Sequence, residues 1–501
     1  MRVLSVDLGS SSCRAAILTE GSIDGAVARR THDLLQRQGL KPEEALEVVV
    51  ATVSDLWTLG YSGAVDALGL STFLAFCFFD ASGTLVAPCA PYSQRGDGVS
   101  IERLISAAGG LDRFLETTGR RPAAELAAAR LLSAVGADSA APSRITHITS
   151  LKDWIISALV GEPGMDLIHA NYTGLFDVFR RRPWTELMEE LRLSPSAFGE
   201  IQEPTAVAGT LTAEAAARLD LRGGLPVVRG SVDGTTAMYG SGVLLPKSGS
   251  LVCGTTDVLM AHLEDPLPKR AAREVSPTAP GPRGGDGGGE KARRLTRNNA
   301  AGGGYLLGGA TALSAGALHC LELLFGGSPG EEQIAGVGPG AQGLRILPSL
   351  AGERSPFWLP EASGAVYGWQ EKHRREHFFR AVMEATACRV AVIARELMRA
   401  GAELRSVRLS GGAAASGVWN RIRAATLRSL GVEEVVALPH SEATLLGTAL
   451  FCESALTGTQ LRELSRRRFS PGDPVEVEPG WVEAYAGLVE EYERLYRMQE
   501  V

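Results

Sequence analysis

The sequence lacks the features that mark several classes of protein. Its seven cysteines are scattered, and no pair has the C-x-x-C spacing that is typical of zinc and redox sites. An odd number of dispersed thiols indicates a reducing compartment rather than a disulfide framework. No uninterrupted apolar run reaches about 18 residues, the length that a membrane-spanning helix needs, and no signal-peptide pattern follows Met1. We therefore expect a cytoplasmic protein with no membrane association.

Positive charge is not in excess either. The chain carries 50 Lys and Arg residues against 57 Asp and Glu residues, a formal net charge of -7. Because binding to nucleic-acid phosphates needs a basic surface, we expect no nucleic-acid partner. Apolar residues make up 45% of the 501 residues and charged residues 21%, which is ordinary for a folded globular protein. A chain of this length usually forms two or three domains.

Strand-like and helix-like patterns alternate along the chain, which favours an α/β fold. Arg2–Ile17 is predicted as a strand, a turn and a second strand, and Lys41–Trp57 has the helical spacing of apolar residues. Ala67–Ser71 and Phe76–Phe79 are predicted as strands, and Ile148–Val160 as one amphipathic helix. The later predictions are helices at Arg374–Ala400, Trp419–Leu430 and Glu483–Arg497 and strands at Val407–Ser410 and Val435–Leu438.

One carboxylate near the middle of the chain is flanked by glycines. An apolar run, Leu225–Val228, leads into Gly230, and Asp233 stands directly before Gly234. Asp is a favoured N-cap, so this residue can cap a helix that begins near Thr235. A strand that ends at a carboxylate and turns into a helix can also hold a general base at the floor of a cleft. The residues alone favour capping, because caps are far commoner than catalytic bases.

Two similar turns lie on either side of this carboxylate in the sequence. Gly9-Ser10-Ser11-Ser12 and Gly254-Thr255-Thr256 each separate two strand-like segments. Small residues at a hairpin turn let backbone N–H groups point at a phosphate. Asp7, just before the first turn, could hold a metal ion through water. The alternative is a pair of ordinary polar turns, which are common in proteins.

A strand, a glycine loop and a helix follow one another near residue 410. The loop is Gly411–Ser416, and a loop of this kind at the start of a helix is a natural nucleotide site. It matches neither the G-x-G-x-x-G fingerprint nor a Walker A loop, so a plain tight turn is the alternative.

A tract rich in Pro and Gly interrupts the second half of the chain. Such a composition cannot bury a core, so residues 274–296 are predicted to form a flexible insertion.

In this order, the segments resemble the motifs of the FGGY carbohydrate kinases, which belong to the actin/hexokinase/Hsp70 ATPase superfamily. The resemblance covers nearly the whole chain, and it includes three further segments, Asp166–Asp177, Gly352–Trp358 and Glu442–Ala449. It implies two actin-like α/β domains with mixed sheets flanked by helices, hinged about a deep cleft. The implied domains are residues 1–243 and 244–501.

The resemblance also assigns roles to individual residues. It implies that ATP and Mg2+ bind in the cleft, that Asp7 holds the metal, and that Asp233 is the general base. The nucleotide-binding positions that it implies are Gly9, Ser10, Ser11, Ser12, Arg14, Gly254, Thr255, Thr256, Gly411, Gly412, Ala413 and Asn420.

The sugar-side positions depart from the family pattern. Leu74-Ala75 stand where many members have Met-His or Trp-His. Pro91–Arg95 keeps only the Arg of a Trp-x-Asp-x-Arg motif, unless Asp97 substitutes for its Asp. Losing an imidazole and a carboxylate removes strong hydrogen bonds to a polyol. The substrate-binding positions that remain implied are Leu74, Ala75, Tyr92, Arg95 and Asp233.

Two functions are consistent with this sequence. The first is a kinase that transfers the γ-phosphate of ATP to a sugar, sugar acid or polyol. The second is a homologue that binds nucleotide but has lost phosphorylation and acts as a regulatory or interaction protein. The intact nucleotide motifs favour the first, and the altered sugar-side positions favour the second. The expected partners are ATP and a small carbohydrate, with a homodimer as an option.

Overall fold

The computed structural model describes most of the chain. The described residues are 1–500 with the exception of 38, 62–63, 94–95, 137, 139, 265–294, 439–441 and 470–473. The predicted substrate residue Arg95 lies outside them, as does the predicted insertion from residue 274 to residue 294. At the end of that insertion, Thr296 begins a strand.

Strands and helices alternate through the described part of the chain. Its strands β1 to β22 are Arg2–Leu8, Ser12–Thr19, Ser22–Ile23, Ala28–Thr31, Ala67–Thr72, Ala75–Phe79, Leu85–Pro91, His147–Ser150, Met165–Asp166, Phe176–Asp177, Arg182–Pro183, Ile201–Gln202, Val207–Thr210, Pro226–Val228, Ser248–Cys253, Asp257–Leu263, Thr296–Asn299, Tyr305–Ala310, Arg345–Leu347, Ala365–Tyr367, Ser406–Ser410 and Glu434–Ala437. Its helices α1 to α16 are Pro42–Thr58, Gly98–Ala107, Leu111–Thr118, Ala127–Val135, Leu151–Val160, Leu167–Asn171, Thr185–Glu190, Ala213–Leu219, Asp233–Gly240, Ala315–Phe325, Glu331–Ala335, Arg375–Arg399, Gly417–Arg428, Ala443–Thr457, Leu461–Arg468 and Trp481–Arg497.

The first large sheet is built around the N-terminal hairpin. Its order is β13-β14-β5-β1-β2-β3, and β4 also pairs with β2. β1 and β2 are antiparallel, whereas β5 runs parallel to β1 and β14 runs parallel to β5. The hairpin predicted at Arg2–Ile17 is confirmed. The carboxyl ends of β1, β5 and β14 therefore meet at one edge of the sheet.

The second large sheet repeats this arrangement. Its order is β17-β18-β16-β15-β21-β22. β15 and β16 form an antiparallel hairpin, β21 runs parallel to β15, and β22 runs parallel to β21. Each sheet thus places a hairpin turn next to the carboxyl end of a parallel strand. The duplicated mixed sheets confirm the predicted α/β class.

One predicted element is wrong at its start. His147–Ser150 is a strand, β8, which pairs with β6, and the helix α5 begins only at Leu151. The side chain of Ser150 accepts a hydrogen bond from the backbone N–H of Asp153 and so caps α5. Pairing with β6 outweighs the helical spacing of the apolar residues at this point, because it satisfies the backbone groups of the short segment.

A helix from the C-terminal half packs on the first sheet. α14 crosses α9 and also lies against β1 and β5. The crossing is close: a Cβ on Gly240 would lie 1.7 Å from the carbonyl oxygen of Ala443, and one on Gly447 would lie 2.0 Å from that of Thr236. The predicted boundary near residue 243 stays a prediction, and α14 belongs to the core of the first sheet.

Two sequence-based expectations concern cysteines and membranes. All seven cysteines are free thiols, and each of them except Cys320 is buried. Among the helices of the described residues, none combines the length and the hydropathy that crossing a bilayer requires.

Candidate active site

Asp233 lies at the junction of β14 and α9. Gly230 has a φ of 62°, and a Cβ there would lie 2.1 Å from the carbonyl oxygen of Leu70, so this close approach to β5 requires glycine. The helix begins at Asp233, with Val232 in the N-cap position. The Asp233 carboxylate accepts a hydrogen bond of 2.6 Å from the backbone N–H of Gly234. The predicted N-cap role is therefore wrong: α9 begins two residues earlier than expected, and Asp233 is its first residue.

The carboxylate of Asp233 has the electrostatic surroundings of a proton acceptor. Burial raises its pKa to about 7, and the nearby charge of Asp7 contributes in the same direction. The N–H of Gly234 and the charge of Arg14 oppose this rise. A general base is most effective when its pKa lies close to the working pH. Asp233 has that property, which an exposed helix cap lacks.

Asp7 belongs to a chain of alternating charges. The Arg14 guanidinium donates to the Asp7 carboxylate and, over 2.8 Å, to Glu442. Arg29 donates to the other oxygen of Glu442 over 2.9 Å. Asp7 is fully buried, and its Oδ1 has no hydrogen-bond partner among the described residues. An oxygen of this kind suits a hard cation such as Mg2+, directly or through water.

The first glycine turn is closed by a backbone hydrogen bond and is contacted by a histidine ring. Gly9 N–H donates to the carbonyl oxygen of Ser12 over 3.1 Å, and the His32 ring lies 3.0 Å from the carbonyl oxygen of Gly9. Ser10 and Ser11 at its tip are exposed. The predicted phosphate-facing residues are thus presented at the edge where β1, β5 and β14 end.

The second glycine turn and the glycine loop lie side by side. Gly254 N–H donates to the carbonyl oxygen of Thr256 over 3.0 Å, and Thr255 is exposed. Gly411 has a φ of 88°, and a Cβ there would lie 2.4 Å from the carbonyl oxygen of Cys253. The backbone of the loop therefore packs directly on the second turn, as a shared nucleotide site requires.

The loop itself contains a short 3-10 turn, Gly412–Ala415, rather than being irregular throughout. Gly412 is exposed and Ala413 partly exposed. Asn420 is buried, and its side-chain amide donates to the carbonyl oxygen of Ala414 over 2.7 Å. Asn420 is therefore placed to fix the shape of the loop.

The predicted substrate residues differ in exposure. Ala75 has no exposed surface and Leu74 is buried, so both side chains lie in the core, and their role in binding a substrate stays a prediction. The carbonyl oxygen of Leu74 accepts the N–H of Tyr92 over 2.9 Å. Tyr92 is exposed, its hydroxyl interacts with Ser10, and burial and the charge of Asp233 raise its pKa. Tyr92 is therefore brought together with Asp233 and the first turn.

Sequence reasoning did not foresee several contacts around this site. Glu442 lies in one of the family-like segments but stands 428 positions from Arg14, so only the packing of α14 on the first sheet reveals the pair. Ser314 donates its N–H to the carbonyl oxygen of Thr255 and has a buried hydroxyl with no partner in the described part of the chain. Arg423 pairs with Asp257 beside the second turn. No local pattern in the sequence indicates these contacts.

The two large sheets have similar strand orders, and each contains an antiparallel hairpin with a glycine turn. This duplicated arrangement is that of an actin-like fold. Models of the N-terminal and C-terminal domains of the FGGY family of carbohydrate kinases match residues 2–240 and 249–456. The chain belongs to the FGGY family of carbohydrate kinases, which confirms the resemblance seen in the sequence.

Curated relatives are kinases for different acceptors. The chain is 22% identical over 476 residues to a gluconokinase of Bacillus subtilis, covering 89% of this chain and 86% of the relative. It is 29% identical over 291 residues to a glycerol kinase of Halorhodospira halophila, covering 57% of this chain and 52% of the relative. The latter match thus spans about half the length of the glycerol kinase.

Solved structures share the whole fold. A ligand-bound xylulose kinase from Lactobacillus acidophilus superposes with a TM-score of 0.85 at 18% identity, covering 100% of this chain and 98% of that one. A glycerol kinase from Plasmodium falciparum with ADP gives a TM-score of 0.80 at 15% identity, covering 100% and 98%. At these identities the likeness establishes the fold.

Proposed function

We propose that this protein transfers the γ-phosphate of ATP to a hydroxyl of a sugar, sugar acid or polyol, with Asp233 as the general base. The observation that carries the proposal is the half-buried carboxylate of Asp233, its pKa raised to about 7, beside the first glycine turn. Phosphoryl transfer needs in-line positioning and neutralised charge more than covalent help from the protein. A single aligned carboxylate can take the proton of the attacking hydroxyl.

The nucleotide lies between the two halves in this proposal. Backbone N–H groups of the exposed turns at Ser10-Ser11 and Thr255 contact its phosphates, and the Gly411–Ala413 loop contacts the adenosine. Asp7 would hold Mg2+ through its free Oδ1, and the ion would neutralise charge on the phosphates. Arg14, already held by Asp7 and Glu442, adds a positive charge close to Asp233.

The acceptor enters beside Tyr92. The hydroxyl of Tyr92 interacts with Ser10, and the residue is 41% exposed, so Tyr92 can contact a sugar that presents a hydroxyl to Asp233. Leu74 and Ala75 stand where many family members have a pair that includes His, so this chain has no imidazole at that position. The acceptor is therefore bound by fewer charged hydrogen bonds than a Met-His pocket offers, which favours an acceptor different from those of members with that pair.

An acceptor panel tests this function. ADP release from Mg-ATP is measured with ketoses, aldoses, sugar acids and polyols, and ATP binding is measured in parallel by calorimetry. Turnover with at least one acceptor, well above the rate with water alone, is the expected result. ATP binding without turnover on any acceptor would instead favour the second candidate, a nucleotide-binding homologue without kinase activity, which the altered sugar-side positions motivate.

A further inference from the structure

A buried ionic network lies behind the segment that carries Asp233. Lys152 and Asp153 stand in the first turn of α5, Asp166 stands at the start of α6, and Arg229 and Ser231 follow β14. All five side chains have essentially no exposed surface. The proposed reaction assigns them no role, and burying charges is costly unless they are paired, so their arrangement calls for an account.

The ammonium group of Lys152 ties three elements together. Its Nζ lies 2.7 Å from Asp153 Oδ1 and 3.2 Å from Asp166 Oδ2. It also donates to the carbonyl oxygen of Arg229 over 2.7 Å. These three acceptors match the three protons of an ammonium group. Lys152 therefore links α5 and α6 directly to the backbone at the end of β14.

The carboxylate of Asp166 binds Ser231, which lies two positions after Arg229 in the chain. Its Oδ1 accepts the hydroxyl of Ser231 over 2.9 Å and the backbone N–H groups of Ile168 and His169 over 3.0 and 3.2 Å. Although burial acts in the opposite direction, His169 and Lys152 keep the pKa of Asp166 well below its usual range. Asp166 is thus a permanent anion, and Ser231 is fixed by a charge-assisted hydrogen bond.

A metal centre is the competing explanation for this cluster. The ligand atoms of Asp153, Asp166 and His169 lie within 4.8 Å of one another, which would suit a cation. However, the Lys152 ammonium contacts both carboxylates at 2.7 and 3.2 Å. It stands where the metal would bind, and it supplies the positive charge that the two carboxylates need. The cluster is therefore an internal ion network.

The segment between β14 and Asp233 also contacts β5. Ser71, in β5, donates its hydroxyl to the carbonyl oxygen of Ser231 over 2.9 Å. Thr72 forms a parallel bridge with Val232. Ser231 is therefore fixed at its side chain by Asp166 and at its backbone by β5, two residues before Asp233.

We propose that Lys152 and Asp166 are positioning residues, which fix Arg229 and Ser231 and thereby set the place of the Asp233 carboxylate. The inference rests on the proposed role of Asp233 as the base. A displacement of about 1 Å can cost about 100-fold in rate when a reacting group must be aligned. Loosening this network therefore lowers kcat, while the ligand-binding groups stay in place.

The test compares two substitutions. Each removes a hydroxyl group that donates a hydrogen bond to a buried carboxylate, and each carboxylate is paired with a cation. Ser231→Ala removes the bond to Asp166. Tyr485→Phe is the control, and its site lies between α12 and α16. The Tyr485 hydroxyl donates to Glu384 over 2.8 Å and accepts from Arg380 over 2.7 Å, and Arg380 also pairs with Glu384. For both variants kcat, KM for ATP and for the acceptor, and Tm are measured on the full chain.

The expected result is a fall in kcat of about tenfold or more in Ser231→Ala, with both KM values within about twofold of the wild type. Tyr485→Phe should lower the Tm at least as much as Ser231→Ala and keep kcat within about twofold of the wild type. Equal kcat values in the two variants would overturn the positioning role. Asp166→Asn is a stronger variant, and Ser231→Ala decides the question if Asp166→Asn does not fold.

Asp233→Asn separates this inference from the proposed function. If Asp233→Asn retains the turnover of the wild type, Asp233 is not the base and the positioning inference fails with it. If Asp233→Asn is inactive while Ser231→Ala keeps the wild-type kcat, only the positioning inference fails.

Discussion

At the scale of single residues, what distinguishes Asp233 is the set of groups around its carboxylate. Burial and the charge of Asp7 raise its pKa to about 7, whereas Arg14 acts in the opposite direction. Arg14 is itself held between Asp7 and Glu442. The protonation of the proposed base therefore depends on a few named charges, and the dependence can be measured.

The pH dependence of kcat/KM should report this carboxylate. Because its pKa is raised, Asp233 is protonated and inactive at low pH, and kcat/KM should rise with pH to a plateau above about 7. In Arg14→Gln the rise should move to higher pH, since losing a nearby cation disfavours the carboxylate anion. An acid limb near the ordinary pKa of an aspartate, in both enzymes, would contradict this assignment.

At the scale of secondary-structure elements, the sequence predicts where strands and helices lie better than it predicts which elements they pair with or pack against. The hairpin at Arg2–Ile17 and the helix at Lys41–Trp57 follow from local apolar patterns, and both are found within two residues of their predicted ends. His147–Ser150 was missed because a four-residue strand is defined by its pairing with β6 rather than by its own pattern. The contact of Glu442 with Arg14 needs α14 to pack on a sheet formed by the other half of the chain.

The crossing of α9 and α14 is an element-scale feature with a direct test. Gly447→Ala would place a methyl group about 2.0 Å from the carbonyl oxygen of Thr236, so the helices must separate. We expect a loss of about 1–3 kcal/mol in the free energy of unfolding, as overpacking usually costs. Chemical denaturation followed by circular dichroism measures it.

Gly487→Ala is the matched control for this change. Gly487 lies within α16, and a Cβ there has nothing within 4 Å. Because alanine is the better helix former, this variant should gain up to about 1 kcal/mol. Equal effects of the two substitutions would show that the helix crossing is not closely packed.

At the scale of the whole molecule, the described part of the chain forms one sheet arrangement twice. Only some of this could be predicted from the sequence. The two glycine turns and the Gly411–Ser416 loop were predicted, because small residues between strand-like runs are a local signal. The buried positions of Leu74 and Ala75, and the network behind Asp233, depend on long-range packing and have no local signal.

We predict that contacts between the N-terminal and C-terminal parts of the chain influence closure of the proposed cleft. Arg354 donates to Glu125 over 2.8 Å, and this pair joins the two halves of the chain. Arg354→Gln should raise the KM for the acceptor severalfold, because a smaller population of the closed form lowers the apparent affinity. Its Tm should change little, since this ion pair is partly exposed and such surface pairs contribute about 1 kcal/mol or less. Arg405→Gln, which breaks an exposed pair with Glu433 inside the second half, should leave both KM and Tm unchanged.

The most direct test of the central claim is the rate of phosphoryl transfer by Asp233→Asn. Single-turnover transfer from ATP to the best acceptor is compared with the wild type, and the Kd for ATP is measured for both proteins. We predict a loss of at least about 1,000-fold in the transfer rate with an unchanged Kd, because the variant keeps the nucleotide site and lacks the proton acceptor. A transfer rate within about tenfold of the wild type would contradict the assignment of Asp233 as the base.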